Sequence, residues 1–200
     1  MARTKEINLK LKDERRNKIL TASLSLFASR GLSGTKIIDI SKKAEMSQGL
    51  IYHYYSSKEE IYIELIRTAV YKLIKSTQVL EDLDIRPKEK IKLAINEIVK
   101  SIGISKAHAL NHLLITQAMV FENVPDDIKS LLENETKKPY EIIARIMKEG
   151  QRRRRIKKYD VDDMSLIFWS TIKGLALNKV AYGDEFKAPN TDIIISMFVR

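Results

Sequence analysis

The chain has 200 residues, 44% of them hydrophobic and 31% charged, with a formal net charge of +10 and no cysteine. That length and balance fit one or two small folded domains and exclude a disordered polyelectrolyte. The missing cysteines exclude a disulfide framework, a thiolate zinc site and an iron–sulfur cluster. No apolar run approaches the ~18 residues of a membrane span, and the start of the chain is too polar for a secretory signal, so a cytoplasmic protein is expected. The charge is uneven: residues 1–58 carry 12 Lys and Arg against 5 Asp and Glu. Such a surplus suits a polyanion, through Coulomb attraction and counterion release, and suits a solvated basic surface equally well.

Apolar residues recur at helical spacing nearly throughout, so the expected class is all-α with about nine helices. A first helix runs from about Lys12 to Ser29, with Leu20, Leu24 and Phe27 on one face. Gly31 and Gly34 end it, and Thr35 is the expected N-cap of a short second helix in which Ile37, Ile40 and Ala44 share a face. Glu45 and Met46 make a tight turn, and Ser47 caps a third short helix through Tyr55. Ser57 with Glu60 forms a capping box that opens a long fourth helix toward Glu81. Pro87 starts a fifth helix, and Ser105 caps a sixth through Phe121. Pro125 opens a seventh segment that Pro139 must break or kink before Gly150, because its ring removes a hydrogen bond. Asp160 caps an eighth helix to Tyr182, and Asn190 caps a ninth to about Phe198.

Two short helices joined by a tight turn, after a longer helix, have helix-turn-helix spacing, in which the second short helix enters a major groove. An ordinary helical hairpin has the same spacing. The side chains of Ser47–Tyr55 suit a duplex: Gln48 can pair bidentately with adenine, and Gly49 lets backbone approach the bases. Thr35, Ser47, Tyr52 and Tyr54 offer hydroxyls to phosphate oxygens, Lys36 and Lys58 offer cations, and His53 can reach a base edge or a phosphate. Ile51 and Tyr55, four apart, face inward. Burying every polar tip of that tyrosine-rich helix unsatisfied would cost about 1–3 kcal/mol each.

Residues 15–65, RRNKILTASLSLFASRGLSGTKIIDISKKAEMSQGLIYHYYSSKEEIYIEL, closely resemble the N-terminal domain of TetR-family transcriptional repressors. The resemblance rests on Ile19-Leu20, Leu26-Phe27, Gly31, Thr35, Ile40, Ala44, Ser47, Gly49, Tyr52, Tyr55 and Lys58-Glu59. It implies a DNA-binding domain over residues 1–58 and an effector-binding and dimerisation domain over 59–200. It further implies that Thr35 caps the second helix beside a phosphate and that Gln48 and Gly49 meet base edges. Tyr52, His53 and Tyr54 would meet backbone or bases, and Lys58 would hold a phosphate. One departure stands out: Glu45 occupies a turn position that is usually glycine, so a left-handed backbone there carries roughly 1–2 kcal/mol of strain.

The eighth helix is apolar on more than one face, which calls for burial all round. Either it is the central core helix or it pairs with a second subunit; the expected homodimer interface uses Phe168, Ile172, Gly174, Leu175, Ile194 and Phe198. A two-fold dimer presents two recognition helices about 34–36 Å apart to a palindromic operator. The resemblance also implies a pocket for a small-molecule effector, for which Tyr71, His108, His112, Gln117, Phe121, Tyr140 and Trp169 are the candidates. His108 and His112 lie four apart without a nearby acid or cysteine, so no metal and no cofactor is expected. Residues Arg152–Lys158 form the strongest charge run, open to reading as a solvated loop or as a contact for an anionic effector, an acidic partner or a second DNA segment.

These readings point to a ligand-responsive repressor of transcription that needs double-stranded DNA, a second copy of itself and a small effector. The alternative is a basic helical protein docking on anionic membrane or an acidic protein partner. Catalytic loops and metal motifs are missing from the sequence, so no enzyme is expected.

Overall fold

The computed structural model describes residues 2–120 and 124–200 of the chain. The described residues form ten α-helices: α1 (Ala2–Arg30), α2 (Ile37–Ala44), α3 (Gln48–Tyr54), α4 (Lys58–Asp82), α5 (Pro87–Ile104), α6 (Lys106–Val120), α7 (Asp126–Glu135), α8 (Lys138–Arg152), α9 (Val161–Tyr182) and α10 (Thr191–Phe198). The tenth arises because the seventh expected segment divides. Pro139 sits in the first turn of α8, where its missing N–H costs nothing, and the chain breaks just before it.

Local chemistry sets most of the boundaries. The Ser57 Oγ accepts from the Glu60 N–H at 3.2 Å, opening α4. The reciprocal half of the expected capping box goes elsewhere, since the Glu60 carboxylate accepts instead from the Ser56 N–H and Oγ at 2.7 and 2.8 Å. Asp160 accepts from the N–H groups of Asp162 and Asp163 to open α9, and Asn190 accepts from Asp192 to open α10. Thr35 departs from expectation. Lys36, not Thr35, is the residue at the α2 N-cap, where its N–H donates to the Asp39 carboxylate at 3.2 Å.

Two apolar clusters organise the packing. In the first, Ile19, Leu26 and Phe27 of α1, Ile40 of α2 and Ile51 and Tyr55 around α3 meet Ile61, Leu65 and Ile66 of α4, Leu110 and Leu114 of α6 and Ile128 of α7. The second gathers Leu80 at the end of α4 with Ile91 and Ile95 of α5, Met147 of α8, Phe168 and Trp169 of α9 and Phe198 of α10. α4 runs through both clusters and is about 37 Å long over its 25 residues. Ion pairs fasten neighbours to it near its middle and at its C-terminal end, Arg67 to Asp127 of α7 at 2.7 Å and Arg145 of α8 bidentately to Glu81 at 2.8 Å. At that end Lys90 donates to the Glu81 carbonyl, satisfying one of the free acceptors of the α4 C-terminus.

Candidate nucleic-acid interface and effector cavity

α2, a three-residue turn and α3 stand on α1 and α4. Met46 N–H donates to the Ser41 carbonyl at 2.9 Å, closing the end of α2, and Glu45 takes the left-handed conformation (φ 55°, ψ 45°) that the sequence implied. Ser47 then caps α3 by accepting from the Leu50 N–H at 3.2 Å. Ile51 and Tyr55 point down into the first cluster and hold the helix in place.

The Tyr55 phenol is built into a network. It accepts from Arg16 Nε at 3.2 Å and donates to Glu64 Oε2 at 3.1 Å, while Arg16 Nη2 donates to the same carboxylate oxygen at 2.7 Å. Burial pushes the phenol's pKa up to about 12: the Arg16 hydrogen bond opposes the rise and the Glu64 charge adds to it. The guanidinium's own pKa is raised, chiefly by its bond to Glu64.

With its inner face spent on packing, α3 turns Gln48, Gly49, Tyr52 and His53 outward, along with Ser47 and, on α2, Lys36. Tyr52 is 54% exposed without packing or hydrogen bonds to account for it. Tyr54 is half-buried and lies edge-on to His53, ring centroids 5.6 Å apart. A Cβ added to Gly49 would meet no atom within 4 Å, so nothing inside the chain requires glycine there.

Two of the expected phosphate contacts are turned inward. Thr35 has 0% exposure and its Oγ1 donates to the Gly31 carbonyl at 2.8 Å, so the hydroxyl closes the end of α1. Lys58 Nζ donates to the carbonyls of Leu32 and Thr35 at 2.8 and 2.9 Å, clamping the α1–α2 turn to the start of α4. A turn carbonyl with spare acceptor capacity is a strong partner for an ammonium, and the ~1.5–3 kcal/mol of a charged hydrogen bond explains the choice.

A cavity of about 500 Å³ lies between α4, α5 and α6, floored by Ile143 and Trp169. Its apolar wall includes Leu73, Leu80 and Ile98; His108, Asn111 and His112 of α6 supply polar groups. Enclosing protein lowers the His112 pKa to about 4, through burial first and the Lys173 and His108 charges second. The Trp169 indole N–H is buried and has no acceptor among the described residues. Of the expected pocket residues, His108, His112 and Trp169 therefore come together. Tyr71 does not, being 67% exposed on the outer face of α4. Gln117 faces the other way and donates to the Ala28 carbonyl of α1 at 2.9 Å. Tyr140 borders a neighbouring cleft beside α6, α7 and α9. Phe121 lies outside the described residues. Lys72, Glu97 and Asn111, which also line the cavity, were missed, because a charged or amide side chain on a helix reads as solvent-facing unless the neighbouring helix is known.

The expected subunit interface also needs correcting. Phe168, Ile172, Ile194 and Phe198 are buried in this chain's own second cluster, where the Phe168 ring packs on Trp169 and Phe198 at centroid distances of 5.1 and 6.0 Å. Gly174 and Leu175 are half-buried. The large apolar side chains that α9 and α10 leave exposed are Leu166, Ile167, Leu177, Tyr182, Ile193 and Met197. Helical period carried the signal: on α9 the core takes 164, 165, 168, 169, 172, 176 and 179, which leaves 167, 174 and 177 on the opposite side.

Among known proteins, residues 19–65 match the family model of bacterial regulatory proteins, tetR family. Over 52 residues the chain is 42% identical to the HTH-type transcriptional regulator HbdR of Aromatoleum sp. (strain CIB), covering 26% of this chain and 23% of that protein. The whole fold is similar to the MbdR regulator from Azoarcus sp. CIB, at 20% identity over 92% of this chain and 96% of that one, with a TM-score of 0.77. It is also similar to the transcriptional regulator FadR from Bacillus subtilis, solved in complex with stearoyl-CoA, at 19% identity over 90% of this chain and 95% of that one (TM-score 0.64). The stretch aligned to the curated relatives spans between 23% and 42% of their length. Residues 19–65 thus carry the helix-turn-helix region of the tetR family of bacterial regulatory proteins, on a fold similar along nearly the whole chain to that of solved transcriptional regulators.

Proposed function

We propose that the chain is a ligand-responsive repressor that binds a palindromic operator as a homodimer and is released by a small-molecule effector. The carrying observation is the division of α3: Ile51 and Tyr55 are committed to packing, whereas Gln48, Gly49, Tyr52 and His53 are left outward, His53 with an edge contact to the neighbouring Tyr54 ring. Those side chains, Ser47 and Lys36 make up the base-reading and phosphate surface; Thr35 and Lys58 shape it from behind. Such a role places the protein in the cytoplasm with the chromosome.

The exposed apolar row of Ile167, Leu177, Ile193 and Met197 supports pairing through α9 and α10. The cavity supports the effector half, and FadR's stearoyl-CoA shows that a protein of this fold holds an amphipathic ligand. The division into a DNA-binding region to residue 58 and an effector-binding and pairing region beyond it follows the same assignment. Effector and DNA then weaken each other by one common factor, because each binds better to a different arrangement of the pair. α6 is suited to carry that change: it presents His108 and His112 to the cavity and Gln117 to α1.

Selection from a random duplex pool tests the reading. Recovered sequences are expected to share an inverted repeat with half-sites one helical turn apart, lost for a Gln48→Ala/Tyr52→Ala variant of unchanged melting temperature. Recovery of no common sequence, or of one without two-fold symmetry, would overturn it.

A further inference from the structure

The connection between α8 and α9 carries Arg152, Arg153, Arg154, Arg155, Lys157 and Lys158, all exposed except Lys157, which is half-buried. Among the described residues, their only ion pair is Arg153 with Glu149 at 2.8 Å. A solvated run of this kind needs no fixed backbone, yet this one is pinned at four points. Ile156 is buried in the second cluster and rests against Gly150, where a Cβ would come within 2.5 Å of its Cδ1. Residues Ile156 and Val199 form an antiparallel bridge, with Lys157 N–H donating to the Phe198 carbonyl at 2.8 Å and Arg200 N–H to the Arg155 carbonyl at 3.1 Å. The Gln151 amide donates to the carbonyls of Lys157 and Tyr159 at 2.9 and 2.7 Å. Arg154 turns the chain in the left-handed region (φ 56°), a conformation glycine would adopt freely, and so keeps a cation at the apex.

From this geometry we infer that the Arg152–Lys158 loop is a second phosphate-backbone surface, which holds a duplex other than the one read by α3. The inference rests on the DNA-binding assignment of α3. Four of the six cations are guanidiniums, whose planar forks match phosphate oxygens in pairs. The loop's one aliphatic side chain, Ile156, is turned inward, and Tyr159 is the exposed large apolar residue next to it in sequence. Protein interfaces and membrane insertion both call for an apolar centre, whereas backbone contact to DNA is charged and needs none. The neighbouring carboxylates are partly engaged: Asp160 caps α9 and Glu149 holds Arg153, which leaves Asp162 and Asp163 on the far side of Tyr159. Position separates the two surfaces. The loop sits on the cluster that contains Leu80, at the end of α4 opposite α3, so about 37 Å of helix lies between them. A duplex seated on α3 meets the opposite end of α4, which leaves the loop for a second segment.

A capture assay with the full-length chain tests this. Protein is loaded on bead-bound random-sequence duplex at low salt, and a fluorescent second duplex is added. The wild type is expected to capture the second duplex. Arg152→Gln/Arg154→Gln/Arg155→Gln/Lys158→Gln should load the beads equally, melt at the same temperature and capture about tenfold less, with a shallower salt dependence. Gln48→Ala/Tyr52→Ala should load poorly, so bead loading reports on α3 and capture reports on the loop. Equal capture by the loop variant, or none by the wild type, overturns the proposal. So does loop-dependent binding to phosphatidylglycerol vesicles or to an acidic polypeptide without duplex capture.

Discussion

The Tyr55 hydroxyl donates to Glu64 across 3.1 Å and accepts from Arg16 at 3.2 Å, so a single phenol ties the end of α3 to both α1 and α4. Its pKa of about 12 lies above the free phenol's ~10, which means the folded state holds its proton more tightly. The resulting stability is complete below pH ~10 and is lost as the pH rises toward 12. Wild-type melting temperature is expected to fall more steeply across that window than that of Tyr55→Phe, by an amount equivalent to about 2 kcal/mol. At neutral pH the same variant should cost about 1–2 kcal/mol in denaturant titrations, since it strips a partner from Glu64 and Arg16. Parallel curves for the two proteins above pH 10 would refute the network's role.

Lys58 behaves as a clamp in this structure, with both observed bonds made to backbone carbonyls of the α1–α2 turn. Lys58→Met should therefore destabilise the fold by about 1–3 kcal/mol as well as weaken DNA retention. Urea unfolding separates this from Tyr52→Ala, an exposed change that should stay within about 0.5 kcal/mol of wild type. A Lys58→Met protein of wild-type stability would return the lysine to a purely phosphate-binding role.

Glu45 carries the left-handed strain of the helix-turn-helix turn without help from a side-chain bond. Glu45→Gly is expected to gain about 1 kcal/mol, raising the melting temperature by about 2–4 °C, with DNA binding kept. A drop in melting temperature would show that Glu45 contributes through some other contact.

Gly49 gives the opposite pattern. Open space around its Cβ position means that Gly49→Ala should stabilise α3 by up to about 1 kcal/mol, from helix propensity alone. DNA affinity should nevertheless fall at least about tenfold, because the methyl stands where a base edge must approach. Thermal melts and gel shifts on one preparation check both halves, and unchanged affinity would remove Gly49 from the interface.

His112, held near pKa 4, is neutral in the folded chain at pH 6, whereas the unfolded imidazole takes up a proton below ~6.5. Stability from this group is thus full above ~6.5 and declines as the pH falls toward 4. His112→Leu should flatten acid unfolding in that window by up to about 2 kcal/mol, less a share for the half of the ring that borders the cavity. Identical slopes for the two proteins would contradict the buried placement.

Most helix boundaries were legible because they are decided locally. A serine, aspartate or asparagine before a helix caps it, a proline opens or breaks one, and these effects act within a turn or two of chain. The inward pair Ile51 and Tyr55 was readable from helical spacing, and the left-handed Glu45 from the resemblance, which puts glycine at that turn position. Function-bearing side chains were less so. Thr35 and Lys58 resemble surface residues in sequence, and only the approach of α4 to the α1–α2 turn shows that carbonyls 23 and 26 residues away claim the lysine. On α9 and α10, composition announced too much apolar surface for one face, but which side met the chain's own core depended on where α5, α6 and α8 lay. Composition, spacing and capping chemistry determined the all-α class and two short helices joined by a tight turn, and the resemblance of residues 15–65 to a known domain distinguished a helix-turn-helix from an ordinary hairpin. The tertiary structure decided which cations are spent on backbone, which aromatics line the cavity and which apolar face is left over, because those outcomes turn on contacts between segments far apart in the chain.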